Sequence, residues 1–126
     1  MISLVIAGIA GRMGQRIHAL AGMDPTLRVV YGLEKAETTS TLPGLPIGSD
    51  TSYLKKGDVV IDFTSAEATV GLLPAVVQHR KAMVIGTTGF SQEQESQIAE
   101  AAKSVPIVIS FNMSLGVNVF FKVAQE

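Results

Sequence analysis

The amino-acid sequence predicts an α/β fold with a mainly parallel sheet of about five strands and helices on both of its faces. The main observation is that short apolar runs of strand length alternate with longer segments of helical periodicity, as in βαβ units. A second is a glycine-rich segment that directly follows the first apolar run. The third is composition, since 126 residues, 47% of them hydrophobic and 17% charged, suit one globular domain over residues 1–126.

Each predicted strand is an apolar run bounded by turn residues. The five strands are placed at residues 3–7, 27–33, 59–63, 82–85 and 105–110. The segment 36–52 is rich in threonine, glycine and proline, and it is predicted to be a surface loop with a short helix at 51–55. Strands separated by helices in this order predict a doubly wound sheet.

The helices are predicted from apolar spacing and from the polar residues that begin them. They are placed at 11–21, 64–79, 91–104 and 119–123. Thr64 with Glu67, and Ser91 with Gln94, have the spacing of a capping box. Pro74 predicts a kink or a break in the second helix. The inward faces are expected to consist of Ile17, Leu20 and Ala21 in the first helix and Ile98, Ala101 and Ala102 in the third.

The first strand leads into Gly8-Ile9-Ala10-Gly11-Arg12-Met13-Gly14, and Glu34 follows twenty positions after the last glycine. A strand, a glycine-rich turn, a helix and a distant acid form the layout of a Rossmann-like unit that binds a dinucleotide. Glycines let the backbone approach a pyrophosphate, whose charge is favoured by free N–H groups at the start of the helix. The spacing is GxxGxxG, because Ala10 and Met13 stand where the commoner GxGxxG pattern has glycine.

Glu34 and Lys35 follow the second predicted strand and point to different cofactors. A carboxylate at this place accepts hydrogen bonds from the hydroxyls of an adenosine ribose, whereas a nearby cation accommodates a 2′-phosphate. The pair therefore predicts tolerance of both NADH and NADPH and leaves the preference between them open.

Other predicted strand ends also carry small or hydroxylated residues, at 63–64, 86–89 and 110–113. Since the carboxyl ends of parallel strands meet at one rim, these segments are expected to lie beside the glycine-rich turn. Structural alternatives stay open for some of them. Gly86 and Gly89 could serve only a strand-to-helix turn, and Asp62 could orient backbone inside its strand instead of contacting a ligand.

Charge and composition argue against several classes of function. A formal net charge of −1 gives no electrostatic reason to expect nucleic acid or an anionic membrane surface as a partner. With no cysteine and two histidines, neither a disulfide nor a metal site is expected. The first ten residues lack the features of a signal peptide or a membrane span, so a cytoplasmic location is expected.

The motifs together resemble the amino-terminal nucleotide-binding domain of the dihydrodipicolinate reductase family, also called 4-hydroxy-tetrahydrodipicolinate reductases. The matching segments are VIAGIAGRMG at 5–14, VIDFT at 60–64, VIGTTGF at 84–90 and NMSLGVN at 112–118, which span essentially the whole chain. The resemblance implies NADH or NADPH as the cofactor. The implied contacts are Gly8, Ile9, Ala10, Gly11, Arg12 and Met13 with the pyrophosphate, Glu34 and Lys35 with the adenosine ribose, Phe63 at the rim, Gly86, Thr87 and Thr88 with the nicotinamide half, and Ser110, Phe111, Asn112 and Met113 as a closing wall.

Members of that family continue into a substrate domain with a His-His stretch, a nearby lysine and a Ser-Gly-Thr loop, and this chain contains none of these motifs. The resemblance implies hydride transfer from NAD(P)H to a dicarboxylate precursor in lysine and diaminopimelate biosynthesis, by a protein that is a homotetramer when full length. The chain alone is expected to bind dinucleotide without reducing that substrate, and no catalytic residue is assigned within it.

Two alternative functions remain open at this level. One is the first domain of another NAD(P)-dependent enzyme, such as aspartate or homoserine dehydrogenase, which would explain the fold but not the GTTG and NMSLGVN segments together. The other is a non-catalytic module that senses a nucleotide and changes a partner interface.

Overall fold

The computed structural model describes residues 1–35, 42 and 44–109 of the chain. Strands and helices alternate along these residues. The strands are β1 (Ile2–Ala7), β2 (Leu27–Leu33), β3 (Ile47–Gly48), β4 (Val59–Asp62), β5 (Ala82–Ile85) and β6 (Ile107–Ile109). The helices are α1 (Arg12–Gly22), α2 (Ala66–Gln78) and α3 (Gln92–Ala101), with a 3₁₀ helix over Thr51–Lys56.

The strand pairs of the described residues are all parallel, and the strand order across the sheet is β3-β2-β1-β4-β5-β6. The chain moves outward in one direction from β1 to β3 and in the other direction from β4 to β6. The order therefore reverses between β1 and β4, and ligands of open α/β sheets bind at such a reversal, beyond the carboxyl ends of the strands. The predicted Rossmann-like, doubly wound parallel sheet is confirmed.

The sheet has six strands in the described residues, one more than the sequence predicts. The additional strand, β3, is two residues long and lies in the segment that was expected to be a loop. Its two residues pair with Gly32 and Leu33 of β2. Two residues are too few to show the alternating pattern of a strand, so β3 cannot be recognised from the sequence. Its position is set by hydrogen bonding to β2.

The hydrophobic core forms two layers, one on each face of the sheet, because successive strand residues point to opposite faces. On one face Val5 and Val60 pack with residues of α2 and α3, including Val76 and Ile98. On the other face, strand residues pack with Ile17 and Ala21 of α1. Helices therefore cover both faces, as predicted.

Two residues assigned to the inward faces of helices are exposed, so those assignments are wrong. Leu20 is 46% exposed, because the stripe of α1 that packs on the sheet consists of Gly14, Ile17 and Ala21. Ala102 is exposed because α3 ends one residue earlier and Ala102 is its C-cap.

The start of α2 also differs from the prediction. The N-cap is Ser65, whose hydroxyl accepts a hydrogen bond from the N–H of Ala68 at 3.2 Å. Thr64 does not cap the helix, because its hydroxyl donates instead to Asp62 Oδ1 at 2.7 Å. Of the predicted kink or break at Pro74, the break is absent, because the helix continues through this residue and its buried residues lie on both sides of it.

The remaining boundaries agree within a few residues. The capping box of Ser91 and Gln94 at the start of α3 is confirmed, whereas α3 ends at Ala101 and β6 begins at Ile107. The 3₁₀ helix lies where a short helix was predicted. The predicted helix at 119–123 and the end of the last strand at Ser110 lie outside the described residues.

Candidate functional site

A cavity of about 830 Å³ lies at the carboxyl ends of β1, β2 and β4. Eight residues predicted from the sequence to contact a cofactor line it, namely Gly8, Ala10, Gly11, Arg12, Met13, Glu34, Lys35 and Phe63. Ile9 belongs to the glycine-rich turn but does not line the cavity, because it is fully buried in the core layer beneath α1. The cavity is at the reversal of strand order, where a dinucleotide is expected to bind.

Two glycines of the segment 8–14 are required by the geometry of the protein itself. Gly8 has a φ of +84°, a conformation that other residues rarely adopt, and its N–H donates to the carbonyl of Leu33 at 2.9 Å. A Cβ on Gly14 would lie 2.3 Å from the carbonyl oxygen of Gly8 and 2.5 Å from the Cα of Ile9. Glycine at position 14 therefore lets α1 pack directly against the turn that precedes it.

Gly11 has no such requirement. Its φ of −76° is open to any residue, and a Cβ there would meet its nearest neighbour, the Gly8 carbonyl, at 3.4 Å. Gly11 is the N-cap of α1 and provides no side chain to cap the helix. Within the described residues, no hydrogen-bond acceptor is found for the N–H groups of Arg12 and Met13. The positive end of α1 is therefore free to bind an anion in the cavity.

Glu34 and Lys35 lie at the opposite side of the cavity from Phe63 and Thr64 of the β4 end. The Oε1 atom of Glu34 accepts a hydrogen bond from the N–H of Ala10 at 2.8 Å. No hydrogen bond to its other carboxylate oxygen is found among the described residues. Lys35 is exposed at the edge of the cavity, which suits an ammonium group that meets a charged substituent.

Asp62, the last residue of β4, supports the wall of the cavity without lining it. It is fully buried, and its Oδ1 accepts hydrogen bonds from the N–H of Thr64 at 2.9 Å and from the Thr64 hydroxyl at 2.7 Å. Burial raises the pKa of the Asp62 carboxyl above its ordinary value of 3.8, and the hydrogen bonds from Thr64 oppose that shift. Oδ2 has no partner in hydrogen-bonding geometry among the described residues, although the Thr69 hydroxyl also opposes the upward shift of the pKa. The geometry favours the structural alternative for Asp62.

The segment 86–88 follows β5 but does not line this cavity. The N–H of Gly86 donates to the carbonyl of Asp62 at 2.7 Å. Thr87 is buried, and its hydroxyl is hydrogen-bonded to that of Thr69 at 3.2 Å, while Thr88 is exposed. Contact between these residues and a nicotinamide stays a prediction. Ser110, Phe111, Asn112 and Met113 lie outside the described residues.

Sequence reasoning missed two hydroxylated residues of the cavity, Ser49 and Thr51. Both follow β3, the strand that the sequence does not reveal. The first turns of α2 also contribute Ser65, Ala68 and Gly71 to the lining. Ser49 and Thr51 could have been found only by recognising Ile47 as a strand residue. The two residues would then follow the end of a strand, as Glu34 does.

Over the part of the chain that the structure describes, no group of three or more histidine, cysteine or acidic residues is placed to hold a metal ion. In the same residues no helix has the length and apolar character needed to cross a membrane.

Comparison with known families gives a match over residues 2–113 to the model described as dihydrodipicolinate reductase, N-terminus. Two curated relatives are named 4-hydroxy-tetrahydrodipicolinate reductase. The one from Methanoculleus marisnigri is 40% identical over 131 aligned residues, which cover 100% of this chain and 52% of the relative. The one from Anaeromyxobacter dehalogenans is 41% identical over 138 aligned residues, which cover 100% of this chain and 51% of the relative. The chain thus spans about half the length of these relatives.

Solved structures show the same fold. A dipicolinate-bound dihydrodipicolinate reductase from a Paenisporosarcina species superposes with a TM-score of 0.76 at 24% identity, over 89% of this chain and 48% of that one. A homoserine dehydrogenase from S. aureus superposes with a TM-score of 0.71 at 10% identity, over 86% of this chain and 32% of that one. At these identities the likeness concerns the fold alone.

Proposed function

The chain belongs to the family of dihydrodipicolinate reductase N-terminal domains, and from this premise we propose that its cavity binds NADH or NADPH. The observation that carries the proposal is the uncapped N-terminus of α1, which borders the cavity together with the Glu34 carboxylate. Free N–H groups suit a pyrophosphate, and a carboxylate suits ribose hydroxyls. Both features adjoin the glycine-rich turn, since the Glu34 carboxylate accepts from the N–H of Ala10, one residue before the N-cap Gly11.

The order of the residues along the cavity is consistent with the order of the chemical groups in NADH or NADPH. The turn from Gly8 to Met13 would hold the pyrophosphate, with Gly14 bringing α1 close enough for its first N–H groups to take part. Glu34 would accept from the adenosine ribose, and Phe63 would contact the cofactor from the β4 side. When bound, the cofactor supplies a hydride, while the protein binds and orients it.

The activity of the whole protein is a further part of the proposal. We propose that the full-length protein transfers a hydride from NAD(P)H to a dihydrodipicolinate-type dicarboxylate in lysine and diaminopimelate biosynthesis. The relatives that carry the reductase name are about twice as long as this chain. A second region would therefore bind the substrate, and we propose a cytoplasmic homotetramer that uses no nucleic acid or membrane partner. The polypeptide of 126 residues is expected to give no turnover above a blank.

Calorimetric titration of the chain with NADH and NADPH tests the binding proposal, and the variant Lys35→Ala tests the cofactor preference. Because Lys35 is exposed, loss of its charge-assisted contact with a 2′-phosphate should weaken NADPH roughly 3- to 10-fold and leave NADH unchanged. Lys103→Ala is the matched control, since Lys103 is an exposed lysine after α3 that pairs with Glu100.

Three outcomes would contradict parts of this proposal. Failure of both NADH and NADPH to bind would contradict the cofactor assignment. Unchanged NADPH affinity in Lys35→Ala would remove the phosphate role of that lysine. A coding sequence that stops directly after Glu126 would favour a nucleotide-sensing module over a reductase, whereas a second domain encoded in frame would exclude that alternative.

A further inference from the structure

Glu34 is bonded to two separate parts of the cavity wall. Its backbone N–H donates to the carbonyl of Gly48 in β3 at 2.8 Å. Its Oε1 accepts from the N–H of Ala10 at 2.8 Å, across a sequence separation of 24 residues. The residue thus joins the glycine-rich turn to the end of β2 and to the neighbouring β3.

The bond to Ala10 is the long-range restraint at the middle of the turn. The N–H of Gly8 is held by β2 through Leu33, and the N–H of Gly11 is held within the turn by the carbonyl of Gly8 at 3.0 Å. Ala10 lies between these points, next to Gly11, whose backbone is permissive. Among the described residues, the carbonyl of Ala10 accepts a hydrogen bond only from the exposed side-chain amide of Gln15, at 3.0 Å from Nε2. Without the carboxylate, the segment immediately before α1 would lose its only described side-chain bond to β2.

We propose that Glu34 is a positioning residue for the glycine-rich turn as well as a contact for the ribose. One carboxylate oxygen holds the Ala10 N–H, so that the turn and the first N–H groups of α1 are already arranged for a pyrophosphate before it binds. The other oxygen remains for the ribose. Such pre-arrangement strengthens binding because the turn need not be ordered when the ligand arrives. This inference rests on the proposed binding of a dinucleotide in the same cavity.

Two substitutions separate the roles. Glu34→Gln keeps an oxygen acceptor of the same reach for Ala10, whereas Glu34→Ala removes it. The probe is an NADH analogue that lacks the 2′ and 3′ hydroxyls of the adenosine ribose, so that it cannot use a ribose contact. We expect Glu34→Ala to bind this analogue at least about 5-fold more weakly than the unmodified chain, since binding must then order the turn. We expect Glu34→Gln to stay within about 2-fold.

A role confined to the ribose predicts the opposite result. Removing the carboxylate would then leave affinity for the analogue unchanged, or raise it because a negative charge near the pyrophosphate has gone. Analogue binding by Glu34→Ala that equals or exceeds that of the unmodified chain would overturn the proposal. Glu93→Ala, which removes an exposed acid from α3, is the matched control.

Amide hydrogen exchange measured by NMR tests the restraint without any ligand. The Ala10 amide should be protected in the unmodified chain and in Glu34→Gln, and should lose protection in Glu34→Ala, while the Gly8 amide stays protected in all three. Unchanged Ala10 exchange in Glu34→Ala would overturn the proposal whatever the binding data give. If the exchange pattern is as expected but NADH does not bind, the proposed function fails and the restraint of the turn by Glu34 stands.

Discussion

The strand-to-helix junctions before α1 and α3 differ in whether a side chain caps the helix. Each joins the carboxyl end of a parallel strand to a helix through a glycine with positive φ, Gly8 in one and Gly89 in the other. At α3 the Ser91 hydroxyl accepts from the N–H of Gln94, and the Gln94 side chain accepts in return from the N–H of Ser91. At α1 the cap is Gly11 and no side chain fills the position.

The difference teaches where the molecule leaves hydrogen-bonding capacity for a ligand. A side-chain cap stabilises a helix by about 1 kcal/mol. In α2 and α3, serine caps provide that stabilisation. In α1 the corresponding donors remain free beside the cavity, so an anionic ligand can supply the missing acceptor. Within the described helices, the absence of a side-chain cap distinguishes the proposed binding end, at α1, from the capped starts of α2 and α3.

The largest effect is expected from Gly14→Ala, which breaks the packing that places α1 against its turn. The added Cβ would fall 2.3 Å from the Gly8 carbonyl and 2.5 Å from the Ile9 Cα, both of which are backbone atoms that cannot move as a flexible side chain does. We expect the free energy of unfolding to fall by about 3 kcal/mol or more, as measured by urea denaturation.

Gly22→Ala is the control for that variant because Gly22 ends the same helix and has no atom within 4 Å of an added Cβ. It should change stability by less than about 1 kcal/mol, in the favourable direction. Equal urea midpoints for the two variants would show that α1 does not pack on the turn as closely as the structure has it.

The next effect concerns binding and converts the open junction into a capped one. In Gly11→Asp the new carboxylate can accept from the first N–H groups of α1, because the extended backbone at this position is typical of an N-cap. It would occupy the donors and repel a pyrophosphate, so NADH affinity measured by calorimetry should fall about 10-fold or more. Stability should change by only a few tenths of a kcal/mol.

Ser91→Ala makes the reverse change at the other junction and serves as the matched control. Loss of the capping box should lower the free energy of unfolding by about 1 kcal/mol and leave NADH affinity unchanged. If Gly11→Asp binds NADH with normal affinity, or if Ser91→Ala lowers the affinity for NADH, then the absence of a side-chain cap does not determine where NADH binds.

The fold could be predicted from the sequence where a segment determines its own structure. Apolar runs such as 27–33 and 82–85 are long enough to identify a strand, and the capping box at Ser91 is a local pattern. β3 could not be found, because its two residues are held by pairing with β2. The cap of α2 was misplaced by one residue because Thr64, a suitable cap in sequence, has its hydroxyl engaged by the buried Asp62.

The same distinction applies to the candidate site. The glycine-rich turn and Glu34 belong to one continuous βαβ unit, so their convergence on the cavity follows from local sequence and standard topology. Ser49 and Thr51 reach the cavity only through the pairing of β3, which leaves no local signal. The hydrogen bond from the Ala10 N–H to Glu34 likewise depends on three-dimensional geometry. The sequence motif predicts an acidic residue at this position, but not the group that donates to its carboxylate.

The smallest effect is expected at the third junction, between β4 and α2, where Asp62 holds the turn that forms the cavity wall. Because burial raises the pKa of Asp62 in the folded state, the folded chain binds more protons than the unfolded chain between 3.8 and the folded pKa. The contribution of Asp62 to stability is therefore fully present below that range and is lost as the pH rises through the folded pKa. Asp62→Asn keeps an acceptor for Thr64 and does not titrate, so the stability of the unmodified chain relative to this variant should fall with rising pH.

Asp50 offers a control of opposite sign in the same measurement. Hydrogen bonds from Ser52 lower the pKa of this exposed N-cap of the 3₁₀ helix, so its contribution is present above the unfolded pKa and is lost as the pH falls. Urea denaturation of Asp62→Asn and Asp50→Asn from about pH 3 to pH 8 should give difference curves that slope in opposite directions, the Asp62 curve above pH 3.8 and the Asp50 curve below it. A flat curve for Asp62 would mean that its hydrogen bonds from Thr64 balance the effect of burial on its pKa, and a rising curve would mean that they outweigh it. In the rising case the turn before α2 would be held by an ionised carboxylate that accepts from Thr64, in addition to the Ser65 cap of the helix itself.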